Sequence, residues 1–391
     1  MRLGFNDMSR YNRITVLNLI RRNVSISRSE LAEKTGLTPP SISRITKELM
    51  ERDLIIESGV GESNVGRKPI MMEFNESSRS IIGLDLRPDH INGVITNLSP
   101  QILKKYENDF DINLPPKKIL NICRNFLNNI LEDVKEIAPL LGVGIVLPGV
   151  VDIDKGELTY SAPMGWSKVD IKSSFKEILP DIPFRIDNLA HAVALGEKWL
   201  KHDKERDDFV YVYVGKGIGA GIIANGQIYH GSEYNAAEIG HSTINFNGPL
   251  CSCGNRGCLE TYCSTKVLQS NIENKLDITI KREEELWEIL NSNEKKVNEV
   301  IEEALDYLGI GIANLINTLN PEKIIIGGWP QKVGYNQVLH YLWKVVQKHS
   351  MEGLSDNIEV EFSYKDEDVG PLLGASTLVL EDFLTETAVK N

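Results

Sequence analysis

The chain has 391 residues, 41% of them hydrophobic and 25% charged, which excludes a disordered or fibrous protein and leaves room for two or three domains. It lacks an apolar run long enough to cross a bilayer, and its first residues carry charges throughout, so neither a membrane span nor a secretory leader is expected. Cytoplasm is the expected location, where the five cysteines would be mostly reduced. The net charge of −12 is uneven: residues 1–75 hold 12 Lys and Arg against 9 Asp and Glu, and the rest is strongly acidic. That contrast suits a small nucleic-acid-binding module on an acidic body that binds something else.

Arg10 to Asn23 places Ile14, Val16, Leu17 and Ile20 at the spacing of an amphipathic helix. Ser27 and Glu30 have capping-box spacing, which predicts a second helix from about Arg28. Gly36 is placed to stop it. Thr38 and Pro39 can open a third helix, running to about Arg52. That helix turns Ile42, Ile45 and Leu49 inward and leaves Ser41, Ser43, Arg44 and Lys47 outward. Two helices joined by a tight glycine-containing turn form the helix-turn-helix pattern, whose second helix enters the major groove of DNA. LIIE and IMMEF read as two strands around a turn-rich wing, and the wing ends in Arg67 and Lys68, two cations suited to phosphates or a minor groove.

From Ser80 the pattern changes. SIIGLDLRPDHINGVITNL reads as strand, turn, strand, followed by an apolar helix (Ile119 to Ile137) and a buried strand, LGVGIVLPG. DDFVYVYVGKGIGAGIIANGQIY repeats the hairpin, and a further buried strand, PEKIIIGG, follows later. Two similar α/β lobes would enclose a cleft at their junction. Gly215, Gly217, Gly219 and Gly221 do not match the dinucleotide fingerprint, because a strand and not a helix follows them. Their alternation allows close approach of a ligand or a neighbouring strand.

Specific segments then point to a family. VGKGIGAGIIANGQIYHGSEYNAAEIGH followed by CSCGNRGCLE closely resembles the signature of the ROK family, the repressors, open reading frames and sugar kinases. GIVLPGVVD, SAPMGW and IDNLAHAVALGE match further family segments in order, and the N-terminal segment resembles the winged helix-turn-helix carried by the family's repressors. GWSKVDIKSS and INFNGPLCSCGNRGC are similar to its xylose-repressor members. The resemblance implies an α/β fold: an N-terminal winged helix-turn-helix over residues 1–75, then a two-lobed, actin-like, hexokinase-type ROK domain over residues 76–391. Lobe one would span about 76–198 plus a C-terminal helix at about 371–391, and lobe two about 199–370.

The resemblance also implies a homo-oligomer, a dimer or tetramer, with a monosaccharide in the cleft. Asn188, Glu238, His241 and Glu260 fall on the family positions that hydrogen-bond sugar hydroxyls. The kinase parts are altered. The family's kinases carry a glycine-rich phosphate loop where this chain has Asp85-Leu86-Arg87-Pro88, and Pro88 has no N–H to donate. Their catalytic Asn-Asp pair falls on Asn188-Leu189, and leucine cannot accept a proton. Asp187 is a slipped substitute only if the register moves by one residue. Where the kinases usually have threonine, this chain has Lys216, and His191 stands where Asn is common. The loss of an acceptor at Leu189 suits a pentose or deoxy-sugar better than glucose.

Three of the five cysteines, Cys251, Cys253 and Cys258, lie within eight residues, ten residues after His241. A disulfide, a redox pair and a metal site compete for that pattern. The odd cysteine count disfavours the first and the Cys-x-Cys spacing the second. Three thiolates and one imidazole complete a closed tetrahedral site of the structural zinc type, with Gly254 and Gly257 permitting the turns. Cys123 and Cys263 fall outside it. The expected function is a sugar-responsive repressor without enzymatic activity that binds a double-stranded operator. A sugar kinase with an added DNA-binding module and a zinc sensor are the alternatives.

Overall fold

The computed structural model describes residues 5–60, 68–200, 208–292, 294–333, 335–363, 365 and 368–387. Its N-terminal unit comprises α1 (Phe5–Arg22), β1 (Ile26–Ser27), α2 (Arg28–Thr35), α3 (Pro39–Glu51), β2 (Ile55–Val60) and β3 (Ile70–Phe74). The capping box forms as the spacing requires: Ser27 Oγ accepts from the Glu30 amide and the Glu30 carboxylate accepts from the Ser27 amide. Gly36 ends α2 at φ 68°, in the left-handed region where glycine carries no Cβ penalty. The three strands form one antiparallel sheet in the order β1-β3-β2, so a short strand before α2 joins the two read from the sequence.

The body opens with β4 (Ser80–Leu86), β5 (His90–Thr96), β6 (Ile102–Asp109), α4 (Pro116–Val134) and β7 (Leu140–Leu147). Next come β8 (Val150–Asp152), β9 (Glu157–Ser161), β10 (Trp166–Asp170), α5 (Ile171–Lys176), β11 (Phe184–Asn188) and α6 (Leu189–Leu200). The second half contains β12 (Phe209–Val214), β13 (Ile218–Ala224), β14 (Gln227–Ile228), α7 (Glu260–Cys263), α8 (Thr265–Leu276), α9 (Glu283–Leu290) and α10 (Lys295–Leu319). It closes with β15 (Lys323–Gly328), α11 (Trp329–Lys332), α12 (Tyr335–His349), β16 (Glu359–Phe362) and α13 (Gly370–Thr387). The apolar helix α4 ends at Val134, three residues before the expected Ile137.

The two halves share one topology. Their sheets run β6-β5-β4-β7-β11 and β14-β13-β12-β15-β16. In each, the first three strands in sequence pair antiparallel and the last two add in parallel. The repeat suggested by the two hairpins is therefore a repeat of the whole sheet.

Helices α6 and α13 pack together between these sheets, and glycines set how closely they do so. A Cβ on Gly144 of β7 would lie 1.9 Å from the Ala375 carbonyl oxygen of α13. A Cβ on Gly221 of β13 would lie 2.5 Å from the Ala194 methyl and 2.6 Å from the Ala190 carbonyl oxygen, both on α6. Gly374 of α13 meets the Ala192 backbone of α6 in the same way. Gly219 and Gly221 of the second hairpin thus make room for a helix, which was not among the neighbours expected of them, while Gly217 faces Glu260. The apolar core of the N-terminal unit (Val16, Leu17, Ile20, Ile42, Ile45) is continuous with Leu195 and Trp199 of α6 and with Val379, Leu380 and Leu384 of α13. Arg21 of α1 stacks over the Trp199 ring at 4.0 Å. Glu381 of α13 accepts from Trp199 Nε1 at 2.7 Å and from Lys198 Nζ at 3.0 Å. Burial among these groups lowers Arg21 to about 10. None of the described helices is long and apolar enough to span a membrane.

Candidate functional site

The outer face of α3 carries the residues that sequence placed there. Ser43, Arg44 and Lys47 are exposed, and Ser41 is half-buried with its hydroxyl 2.9 Å from that of Thr38. Arg44 pairs with Glu48 at 3.3 Å and Lys47 with Glu51 at 3.8 Å, each one turn along the helix. Such pairs hold the cations in place while contributing only about 0.3 to 0.5 kcal/mol to stability. Lys68 is exposed, two residues before β3. Arg67 lies outside the described residues.

In the body, the loop after β14 and the segment around α7 bring a second group together. His241 Nδ1 lies 3.6 Å from Cys251 Sγ, and Cys253 Sγ lies 3.7 Å from Cys258 Sγ. A tetrahedron with bonds of about 2.3 Å has edges of about 3.7 Å, so these separations fit a bound zinc ion. All four ligand atoms lie within 4.8 Å of one another. Burial, and then the neighbouring thiols, push Cys258 up to about 12, a cost that a divalent cation would remove. Gly254 and Gly257 take φ 93° and 67°, the left-handed turns that fold the thiols back on themselves. Cys123 and Cys263 are fully buried core residues.

Glu260 stands beside the thiols. Its Oε1 accepts from Cys251 Sγ at 3.2 Å and from Ser252 Oγ at 3.3 Å, and lies 3.7 Å from His241 Nδ1. Its other oxygen faces the second hairpin, where a Cβ on Gly217 would lie 3.5 Å away. Glu238 is half-buried, and burial raises its pKa against the pull of His241 and His191. Asn188, at the end of β11, donates from Nδ2 to the Gly149 carbonyl at 2.6 Å and accepts the Ala190 amide at 2.7 Å. It therefore caps α6 while standing at the edge of the same region.

Between Asn188 and Glu238 lies a group that the sequence did not assemble. Asp187 is buried and uses both carboxylate oxygens: Oδ1 lies 3.1 Å from His191 Nδ1, and Oδ2 lies 2.8 Å from His230 Nε2. His191 Nε2 faces the Ala236 carbonyl at 3.1 Å. Despite burial, the two histidines hold Asp187 down at about 2. Asp187 is thus engaged by two imidazoles. Sequence named Asp187 and His191 separately, but gave His230 no signal, since an isolated histidine near a turn has no pattern to recognise.

Two of the positions altered from the kinase pattern lie among the described residues. Arg87 Nε donates to both oxygens of the buried Asp85, at 2.8 and 2.9 Å. Leu189 is buried in an apolar cluster with Val193, Tyr211 and Ile325.

Comparison with known proteins fits this geometry. A model of the ROK family matches residues 81–382, and one described as winged helix-turn-helix DNA-binding matches residues 10–56. The xylose repressor of Caldicellulosiruptor bescii is 31% identical over 393 residues, covering 97% of each chain. The xylose repressor of Bacillus subtilis is 33% identical over 383 residues, 96% of this chain and 97% of that one. A crystal structure of a ROK family transcriptional regulator, a homologue of the E. coli MLC protein, superposes with a TM-score of 0.83 at 24% identity, covering 98% of this chain and 99% of that one. The sheet repeat, the Cys and His cluster and these matches agree: the chain belongs to the ROK family, with a winged helix-turn-helix at its N-terminus.

Proposed function

We propose that this protein is a sugar-responsive, DNA-binding transcriptional repressor and not an enzyme. The observation that carries the reading is α6. It starts at Leu189, capped by the candidate sugar residue Asn188, and carries near its other end Trp199, which packs beneath Arg21 of the N-terminal unit. One rigid element thus touches both functions. A sugar that binds two arrangements of the lobes with different affinity shifts their populations, and α6 carries that shift to the DNA-binding unit.

Each part has a distinct role. Residues 1–75 bind the operator, with Ser41, Ser43, Arg44 and Lys47 toward base edges and Arg67 and Lys68 toward the backbone or minor groove. A homodimer presents two such units to a pseudo-palindrome in the cytoplasm. Residues 76–391 bind the monosaccharide through Asn188, Glu238, His241 and Glu260, since carboxylates accept well from sugar hydroxyls. Two similar repressors over nearly the whole chain are named for xylose, which favours xylose or another pentose as the effector.

Zinc at His241, Cys251, Cys253 and Cys258 would supply the positive charge that holds three thiolates and one imidazole together. With His241 bound through Nδ1, its Nε2–H remains free to donate. Glu238 and Glu260, on the same segments, are held in place with it. The Asp85–Arg87 pair and the apolar packing of Leu189 speak against the kinase alternative, which also lacks a catalytic base.

Gel shifts on DNA fragments selected by the protein test this reading. Xylose should release or tighten the complex while a chelator abolishes the sugar effect. DNA binding insensitive to every sugar, or phosphorylation of xylose or glucose by ATP, would overturn it.

A further inference from the structure

The loop after β14 joins the two halves of the body at one place. His230 donates to Asp187 of β11, and the Ala236 carbonyl accepts from His191 of α6. The Tyr234 hydroxyl donates to Asp154, in the turn between β8 and β9. All three links cross from the second half to the first. The loop is held in an unusual shape: Tyr234 and Ala237 take φ 60° and 67°, a left-handed conformation costly for residues with a Cβ. Glu238 follows at once.

His191 decides the state of this junction. Its two ring nitrogens face a carbonyl and a carboxylate, both of which can only accept. A neutral imidazole has one N–H and would turn a lone pair toward one of them. The imidazolium satisfies both. The titratable groups facing His191 are Asp187 from β11, and Glu238 and His230 from the loop. Two carboxylates around a buried imidazole favour the proton.

We propose that Asp187, His191 and His230 form a proton-carrying latch that positions the Glu238 loop against the Asn188 end of α6 and so sets sugar affinity. Asp187, His191 and His230 are positioning residues in this scheme. The role rests on the sugar-binding reading above. Burial works against the charge on His191, but Asp187 overcomes it and raises the pKa above the ordinary 6.5. A raised histidine contributes fully below about 6.5 and loses its contribution as pH climbs through the folded-state value. Acidic solution therefore closes the latch and alkaline solution loosens it.

The test is calorimetric titration of the full-length, zinc-loaded protein with D-xylose at about pH 6 and about pH 9, in wild type and His191→Asn. Asparagine keeps a donor toward Asp187 but cannot ionise. Wild type should bind about tenfold more tightly than the variant at the lower pH, a ratio that shrinks toward one at the higher. A ratio equal at both pH values would overturn the latch. Hydrogen exchange of amides 230–238, compared between the two proteins at one pH without sugar, tests the latch separately. Faster exchange in the variant supports it and identical exchange refutes it, even if xylose binds neither protein and the sugar reading itself fails. A second equivalent of bound metal per chain, lost in His191→Asn, would show that a metal ion replaces the proton and would overturn the proposal. Should His191→Asn not fold, His230→Gln breaks the link from the more exposed side and carries the same comparison.

Discussion

Two histidine clusters flank the Glu238 segment, and they solve opposite problems. His241 faces thiols, of which Cys251 and Cys258 resist ionisation through burial, a cost that a bound cation would remove. His191 faces a carboxylate and a carbonyl, and a single extra proton satisfies both. The first cluster could hold a metal, and in the latch proposed above the second is complete with a proton. The lesson is that a histidine's partners, not its burial, decide what it holds.

The largest expected effect comes from breaking the metal side. Cys253→Ser should lose the bound zinc, measured by metal analysis, and weaken xylose binding by more than about tenfold in calorimetry. Unchanged sugar affinity after zinc loss would mean that the cluster does not hold Glu238 and Glu260. On the proton side, Asp187→Asn removes the charge that two imidazoles share. It should lower stability by about 3 kcal/mol in denaturant titration while leaving the zinc content intact. The sign of the pH effect follows from the depressed pKa of about 2: Asp187 contributes above its unfolded value near 4, and that contribution disappears as acid titrates the folded protein toward 2.

Smaller changes sharpen the contrast. Gly221→Ala presses a methyl into Ala194 and the Ala190 carbonyl, displacing the helix that carries His191 but not the cysteines. It should cost about 1 to 3 kcal/mol and blunt the pH dependence, again without zinc loss. Cys263→Ala, a buried cysteine five residues beyond the last proposed zinc ligand, should cost about 1 kcal/mol and leave the metal stoichiometry at its wild-type value. Arg44→Ala touches neither cluster. It should change stability by less than about 0.5 kcal/mol, yet weaken operator binding about tenfold in gel shifts.

The N-terminal unit was readable almost residue by residue. The Ser27 cap, the glycine stop and helical spacing are local signals that placed α2 and α3 to within a residue of their ends, although the expected Thr38 cap makes no side-chain hydrogen bond to the α3 backbone. The Cys and His cluster was legible for the same reason, because its four members fall within eighteen residues. The hairpins announced a repeat, but not that the two sheets share one strand order. Of the alternating glycines, Gly219 and Gly221 face a helix that the sequence did not suggest. A strand was among the expected neighbours, and only the packed structure brings Ala190 and Ala194 of α6 against them.

Sequence by itself thus determined what short-range chemistry can write: the Ser27 cap, the turn glycines, the candidate metal ligands and the altered kinase motifs. Tertiary structure alone decided what depends on distant segments meeting. It joined Asp187, His191 and His230 across 43 residues, and it laid Trp199 under Arg21 across 178. The physical reason is range. A cap or a turn is settled by neighbours along the chain, whereas a buried ion cluster or a helix between two sheets exists only once both halves have folded around it.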